Sequence, residues 1–154
     1  MNRDVTEMIE QMFGKPCSQK QVGRGRSLSL GFGNVNLNDK SYREWDVRTY
    51  SSAWRVVRAG LVLCGSQNVV DSIAELNLIL ERVDLGRFVS LRQITDLDVR
   101  IELDNETAVD FLATSNEDEC LNIFCPGQRV IVFSIRGGWK MGPSDKPWPN
   151  PQSP

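Results

Sequence analysis

Short segments in which apolar and polar residues alternate run through most of the chain, and they limit the folds that it can adopt. In the first clear example, Leu28, Leu30 and Phe32 share one face, while serine and glycine occupy the other. Such alternation is typical of strands with one buried face. Glycine, asparagine and proline pairs between the segments indicate turns. The predicted strands cover residues 26–32, 42–50, 53–59, 61–64, 87–94, 96–104, 107–114, 120–125 and 129–135.

Two segments follow a helical period instead. Apolar residues within 5–12 are spaced for one face of a short helix. A longer apolar stripe over 69–83 predicts a second helix, with Asn68 as its N-cap and Gly86 at its end. The expected fold class is therefore α+β. We expect mostly antiparallel strands, in two packed sheets or a pair of half-barrels, together with two helices.

Two similar nine-residue segments indicate an internal duplication. GKPCSQKQV (14–22) and GRFVSLRQI (86–94) share glycine, a basic residue, serine, glutamine and a β-branched end at the same offsets. Each follows a predicted helix and precedes an alternating strand. Chance similarity over nine residues is the competing explanation.

The length of 154 residues is typical of one domain, so we expect a single α+β domain over residues 1–142. The duplication would divide it into pseudo-repeats at 1–66 and 67–142. Near its end, two glycines precede Trp139, and we expect them to form a bend that folds the indole onto the core. Residues 143–154 contain five prolines and no apolar pattern, so they are expected to be an extended or disordered tail.

The chain contains no histidine, and this excludes several kinds of catalytic site. Imidazole is the usual base of serine and cysteine hydrolases and the commonest metal ligand. The four cysteines, at 17, 64, 120 and 125, form no C-x-x-C pair and are expected to be free thiols. There is also no glycine-rich phosphate loop. We expect a protein that is not an enzyme and has no cofactor or metal, although a carboxylate-dependent mechanism stays open.

The hydropathy pattern points away from a membrane. No apolar run approaches the roughly 20 residues that span a bilayer. The first residues, MNRDVTEMIEQMFG, include acids and lack the apolar core of a secretion signal. We therefore expect a cytoplasmic protein.

Acidic residues are concentrated between Asp96 and Glu119, where nine acids accompany one base. If 96–104 is one strand, Leu97 and every second residue after it are buried, and the carboxylates form a row on the solvent side. Like charges in a row repel one another, so we expect them to meet a basic protein partner. The candidate partner-binding residues are Asp96, Asp98, Glu102, Asp104, Asp110, Glu117, Asp118 and Glu119.

Three other interpretations of the charges stay open. The segment from Lys15 to Arg58 holds nine bases and three acids and could neutralise the acidic half through cross-strand pairs. Residues 117–119 could contribute to a divalent-cation site, although they lack the pattern of a calcium loop. Single-stranded nucleic acid could bind an arginine-aromatic surface, but the net charge of −2 argues against it. That surface would comprise Arg43, Trp45, Arg48, Tyr50, Trp54, Arg55 and Arg58.

A series of short landmarks resembles a widespread group of small, uncharacterised bacterial proteins. The landmarks are SLSLGFG (27–33), SAWRVV (52–57), LVLCGSQN (61–68), DLDVRIELDN (96–105), EDECLNIFCPG (117–127) and GGWK (137–140). Leu121 departs from the group, in which a tryptophan is common at that place. The resemblance implies no active site.

The chain is also similar, in its single acidic domain without catalytic apparatus, to immunity proteins of bacterial toxin systems, including contact-dependent growth inhibition. This resemblance implies that the chain neutralises a cognate toxin domain, for example a nuclease, by occluding its basic cleft with an acidic face. A small-ligand-binding module is the alternative.

Overall fold

The computed structural model describes residues 1–49, 53–114 and 119–148. In these ranges the chain forms two α-helices, α1 (Arg3–Glu10) and α2 (Ile73–Glu81), and eleven strands. The strands are β1 (Cys17–Val22), β2 (Leu28–Val35), β3 (Arg43–Thr49), β4 (Ala53–Arg58), β5 (Leu61–Gly65), β6 (Phe88–Gln93), β7 (Val99–Leu103), β8 (Thr107–Leu112), β9 (Glu119–Cys125), β10 (Arg129–Ser134) and β11 (Gly138–Pro143).

The strands form two sheets, and every strand pair in the described chain is antiparallel. The six-stranded sheet has the order β1-β2-β3-β9-β10-β11, and the five-stranded sheet has the order β5-β4-β8-β7-β6. The predicted α+β class, with mostly antiparallel strands in two sheets and two helices, is confirmed.

Each half of the chain contributes strands to both sheets. The first half gives β1, β2 and β3 to the six-stranded sheet and β4 and β5 to the other. The second half gives β6, β7 and β8 to the five-stranded sheet and β9, β10 and β11 to the first. Both halves thus have the same element order, a helix and three strands of one sheet followed by strands of the other. The two similar segments meet at a bridge between Pro16 and Arg87.

The core contains the inward side chains of both sheets. Leu28, Leu30 and Phe32 of β2 have no exposed surface, as their alternation predicts. The ring of Phe32 meets that of Phe88 edge-on, with centroids 5.8 Å apart, so the two sheets contact each other directly. α1 packs against β6 and β11, and α2 packs against β1.

The second helix begins later than predicted. Ser72, not Asn68, is its N-cap, and the Ser72 hydroxyl accepts a hydrogen bond from the N–H of Glu75. The side chain of Asn68 accepts instead from the N–H of Gly65 at the end of β5. Val69, predicted to lie on the apolar face of the helix, is fully exposed. The residue at 68 therefore closes a turn after the strand, and the helix starts only where a second capping side chain is available.

The predicted strand 96–104 is wrong over its first three residues. The Thr95 hydroxyl accepts hydrogen bonds from the N–H groups of Leu97 and Asp98, which fold the chain into a turn before β7. Leu97 was expected to be buried but is 40% exposed, because it lies in this turn. From Val99 onward the strand alternates as predicted.

Two strands were not predicted, β1 and β11. β11 begins at the second glycine of the Gly137-Gly138 pair and holds Trp139, whose ring lies 4.7 Å from that of Phe133. The expectation that the glycines fold the indole onto the core is therefore confirmed. In the segment that follows β11, the Trp148 indole N–H donates to the carbonyl of Pro143. The rest of the predicted tail, 149–154, lies outside the described residues.

Candidate functional site

Asp110, one of the predicted partner-binding acids, is completely buried. It lies on β8 between Arg55 of β4 and Arg100 of β7, which are its cross-strand neighbours. Nε of Arg100 donates to Oδ1 at 2.6 Å, and Nε of Arg55 donates to Oδ2 at 2.8 Å. Burial alone would raise the pKa of the Asp110 carboxyl, but the hydrogen bonds from Arg100 and Arg55 outweigh it and hold the pKa below its usual value. Arg55 belongs to the first half of the chain, so this part of the acidic row is neutralised internally.

The other described acids of the predicted row are largely engaged within the chain. Glu102 accepts from Nε of Arg92 at 2.8 Å, and this hydrogen bond lowers the pKa of its carboxyl. Asp98 accepts from the backbone N–H of Ala113, and Asp104 accepts from that of Arg87. Asp96 is exposed in the turn that precedes β7.

The outward face of β6, β7, β8 and β4 therefore carries no open row of carboxylates. Three arginines, Arg55, Arg92 and Arg100, stand beside two acids, Glu102 and Asp110. Glu117 and Asp118 lie outside the described residues, as does the side chain of Glu119, so the acids of that segment and the cation site suggested for it are not described.

The predicted arginine-aromatic set is divided between the core and two surfaces. Trp45 and Trp54 are buried. Arg58 donates to the Thr107 hydroxyl and to the carbonyl of Asp84, so it joins elements of the fold. Tyr50 lies outside the described residues. Arg55 is bonded to Asp110 on the five-stranded sheet. The two remaining members, Arg43 and Arg48, lie on the outer face of the six-stranded sheet.

Alternation along β3 places Arg48 on that outer face. Trp45 and Val47 point into the core, so Asp46 and Arg48 point away from it. The pairing of β3 with β9 sets Asp46 opposite Phe124, a residue 78 positions later in the sequence. On the other side of β3, Asp46 faces Gly31 of β2, and the Arg43 side chain lies against this glycine on the outer face.

Arg48 is fixed by one carboxylate and two rings. Its Nε and Nη2 donate to Oδ2 of Asp46 at 3.1 and 2.7 Å. Its guanidinium carbon lies 4.6 Å from the ring centroid of Tyr42 and 5.3 Å from that of Phe124. Burial by itself would lower the pKa of the guanidinium, but its interactions with Asp46 and Tyr42 leave that pKa above its usual value. The group is charged, oriented and partly exposed.

Arg48 lies in an open groove of about 710 Å³, which we call the outer groove. A recess of about 290 Å³ continues it toward β1, and another of about 440 Å³ continues it toward Trp148, whose indole covers Gly142. Cations and acids are nearly balanced along this surface. The residues along this surface include Tyr42, Arg43, Arg48, Phe124, Lys146 and Trp148.

No part of the sequence alone indicated this groove. The segment 42–50 was predicted as a strand, and this is confirmed over Arg43–Thr49. The sequence pattern did not predict that Phe124 and the residues near Trp148 lie beside Arg48. Both depend on strand pairing between distant parts of the chain, for which the local pattern holds no signal.

The thiols are poorly suited to catalysis. All four cysteines are free, as predicted. Burial raises the pKa of the Cys17 and Cys125 thiols to about 12 and that of Cys64 to about 11, so these groups are protonated at neutral pH. Among residues 1–49, 53–114 and 119–148, no group of three or more metal-ligating side chains comes together.

Comparison with protein families, curated proteins and solved structures found no match to this chain. In the part of the chain that the structure describes, neither helix is long and apolar enough to cross a membrane.

Proposed function

We propose that the protein is a non-catalytic binding protein of the immunity type, which inhibits a cognate bacterial toxin domain by covering it with the outer groove. The observation that carries this proposal is Arg48, held by Asp46 beside the rings of Tyr42 and Phe124, with part of its guanidinium side chain exposed. Arginine, tyrosine and tryptophan are the residues that most often dominate the binding energy of protein interfaces.

The arrangement of Arg48 favours tight binding of a complementary surface. The Arg48 side chain is already ordered before binding. Its conformational entropy therefore falls less on binding than that of a mobile arginine would. A carboxylate or carbonyl oxygen of the partner would accept from the exposed part of the Arg48 guanidinium, while an apolar side chain would pack on Phe124 and Trp148. The nearly balanced charge of the groove favours this specific contact over the broad electrostatic capture expected of an acidic face.

The same proposal places the protein in the cytoplasm. Four free thiols are typical of a reducing compartment, in which disulfides rarely persist. An immunity protein acts in the cell that must be protected from the toxin, and a cytoplasmic toxin target would require the inhibitor to be present there.

The test is to co-express the chain with the toxin domain encoded beside its gene and to measure the affinity of the purified complex. We expect Trp148→Ala and Arg48→Ala each to weaken binding by about 2 kcal/mol, or about 30-fold, as is usual for central interface residues. Trp148 is the cleaner site, because its removal leaves no buried charge, whereas Arg48→Ala leaves Asp46 without its partner.

Arg92→Ala is the matched control, since Arg92 is an exposed, ion-paired arginine on the other sheet. It should leave the affinity unchanged. Asp96→Lys tests the alternative that an acidic face binds the toxin. If Asp96→Lys slows association while Trp148→Ala leaves binding unchanged, the outer groove is not the binding site. Absence of any complex contradicts the immunity function.

A salt-sensitive affinity for a single-stranded oligonucleotide that requires Arg48 would favour nucleic-acid binding instead.

A further inference from the structure

The two sheets have four edge strands, and three of them are flanked by other parts of the described chain. At β1, the Asn77 side chain of α2 bonds both the N–H and the carbonyl of Val22. At β6, Gly14 donates to the carbonyl of Phe88, and the N–H of Phe88 donates to Lys15. At β11, α1 packs beside the strand. These contacts limit the pairing of another strand with those edges.

β5 is the fourth edge. Its last residue, Gly65, is bonded to Asn68 through both its N–H and its carbonyl, so the exposed part of this edge is at Leu61 and Val62. β4 is its one strand neighbour within the described ranges. Leu61 and Val62 are 70% and 60% exposed. The sequence of β5, LVLCG, holds no charged residue and no proline, which are the usual features that prevent an edge strand from pairing with another chain.

We propose that β5 pairs antiparallel with β5 of a second copy of this chain, which joins the two five-stranded sheets into one. An uncharged, apolar edge is matched by another uncharged, apolar strand. A second copy of β5 is such a strand, and a twofold axis makes the pairing self-complementary. The pairing would remove Leu61 and Val62 of both copies from water.

The proposed dimer is independent of the proposed function. β5 belongs to the five-stranded sheet, whereas the outer groove lies on the outer face of the other sheet. Each copy would therefore keep its groove accessible, and loss of dimerisation would not by itself remove partner binding.

The test is the mass of the purified full chain by light scattering over a series of concentrations. We expect twice the 17.4 kDa of one chain. Val62→Lys places a charge on the pairing edge and should halve the measured mass. Leu61→Lys should have the same effect. Circular dichroism and thermal unfolding establish that each variant is folded.

Val89→Lys is the matched control, because Val89 is 39% exposed on β6, the opposite edge of the same sheet. This variant should stay dimeric. A wild-type chain with the mass of one copy at every concentration overturns the proposal. So does a dimer that persists in both folded β5 variants, or one that dissociates in Val89→Lys.

Discussion

Asp110 has no exposed surface, and an unmatched carboxylate in that position would cost several kcal/mol. Arg55 and Arg100 approach it from the two neighbouring strands and bond both carboxylate oxygens. The three residues lie side by side across β4, β8 and β7. The register of strand pairing therefore brings the two arginines next to the acid, and their opposite charges favour that same register. An acid that would suit a binding surface by sequence is thus part of the fold.

We expect Asp110→Asn to lower the free energy of unfolding by about 3–5 kcal/mol, because the amide leaves two arginines without their counter-charge. Urea unfolding at pH 7 measures this change. Glu102→Gln is the control, since its ion pair with Arg92 is about half exposed and should contribute at most about 1 kcal/mol. Equal effects of the two substitutions would contradict the role assigned to Asp110.

The lowered pKa of Asp110 also predicts a dependence of stability on pH. Its folded pKa lies below the unfolded value of about 3.9, so its contribution is fully present above that value. The contribution is lost as the pH falls through the folded pKa, because the unfolded state then binds the proton more readily. Repeating the urea unfolding from pH 6 to pH 3 should therefore show a larger loss of stability in the wild type than in Asp110→Asn. Parallel pH profiles would contradict this account.

At the scale of elements, the sequence predicted strands better than it predicted their ends and partners. The burial of Leu28, Leu30 and Phe32 follows from alternation alone. The turn before β7 and the late start of α2 do not, because the hydroxyl of Thr95 and the amide of Asn68 each have several local backbone partners available. Only the folded chain determines which of these hydrogen bonds forms.

The candidate site was even harder to predict from the sequence than the ends of the strands. Alternation places Asp46 and Arg48 outward on β3, which the sequence indicates correctly. It cannot indicate that Phe124 will lie beside them, because that contact requires β9 to pair with β3 in one register. Nor can it show that Arg55 reaches Asp110 across a separation of 55 residues. The local sequence pattern indicates which side chains of a strand face the core. The candidate site, in contrast, is formed by pairing between strands that are far apart in the sequence.

One side chain of α2, Asn77, bonds directly to the backbone of β1. Asn77 accepts from the N–H of Val22 through Oδ1 and donates to the Val22 carbonyl through Nδ2, both at 2.8 Å. Val22 is 1% exposed, so water cannot readily replace these bonds. Asn77 of the helix thus provides hydrogen-bond partners for the N–H and the carbonyl of Val22, at the end of an edge strand. Without it, these two polar groups would be unbonded.

We expect Asn77→Ala to lower the free energy of unfolding by about 2 kcal/mol, because two buried backbone groups lose their partners. Leu78→Ala, at an exposed position one residue further along the same helix, is the control and should change stability far less. Hydrogen exchange provides a direct readout, since the amide of Val22 should exchange faster in Asn77→Ala than in the wild type. Unchanged protection of that amide would show that Asn77 does not secure the strand.

At the scale of the whole molecule, the exchange of strands makes the two halves interdependent. β3 completes the six-stranded sheet only by pairing with β9, and β4 completes the other only by pairing with β8. Without the second half, β3 and β4 would each become an open edge with an apolar inner face. A repeat of element order therefore does not divide this chain into two units that are stable alone.

We expect fragments 1–70 and 71–154 to be unfolded when expressed separately and to form a folded complex when expressed together. The break after residue 70 keeps the carbonyls of Ser66, Asn68 and Val70 in the fragment that contains Arg26, whose guanidinium bonds all three. Circular dichroism and the dispersion of amide signals in NMR spectra distinguish the states. The buried Asp110 provides the control, because Asp110→Asn in the second fragment removes the counter-charge of Arg55 in the first and should weaken reassembly. A fragment that unfolds cooperatively on its own would show that its half of the chain completes a core without the β3–β9 and β4–β8 pairings and is a domain in itself.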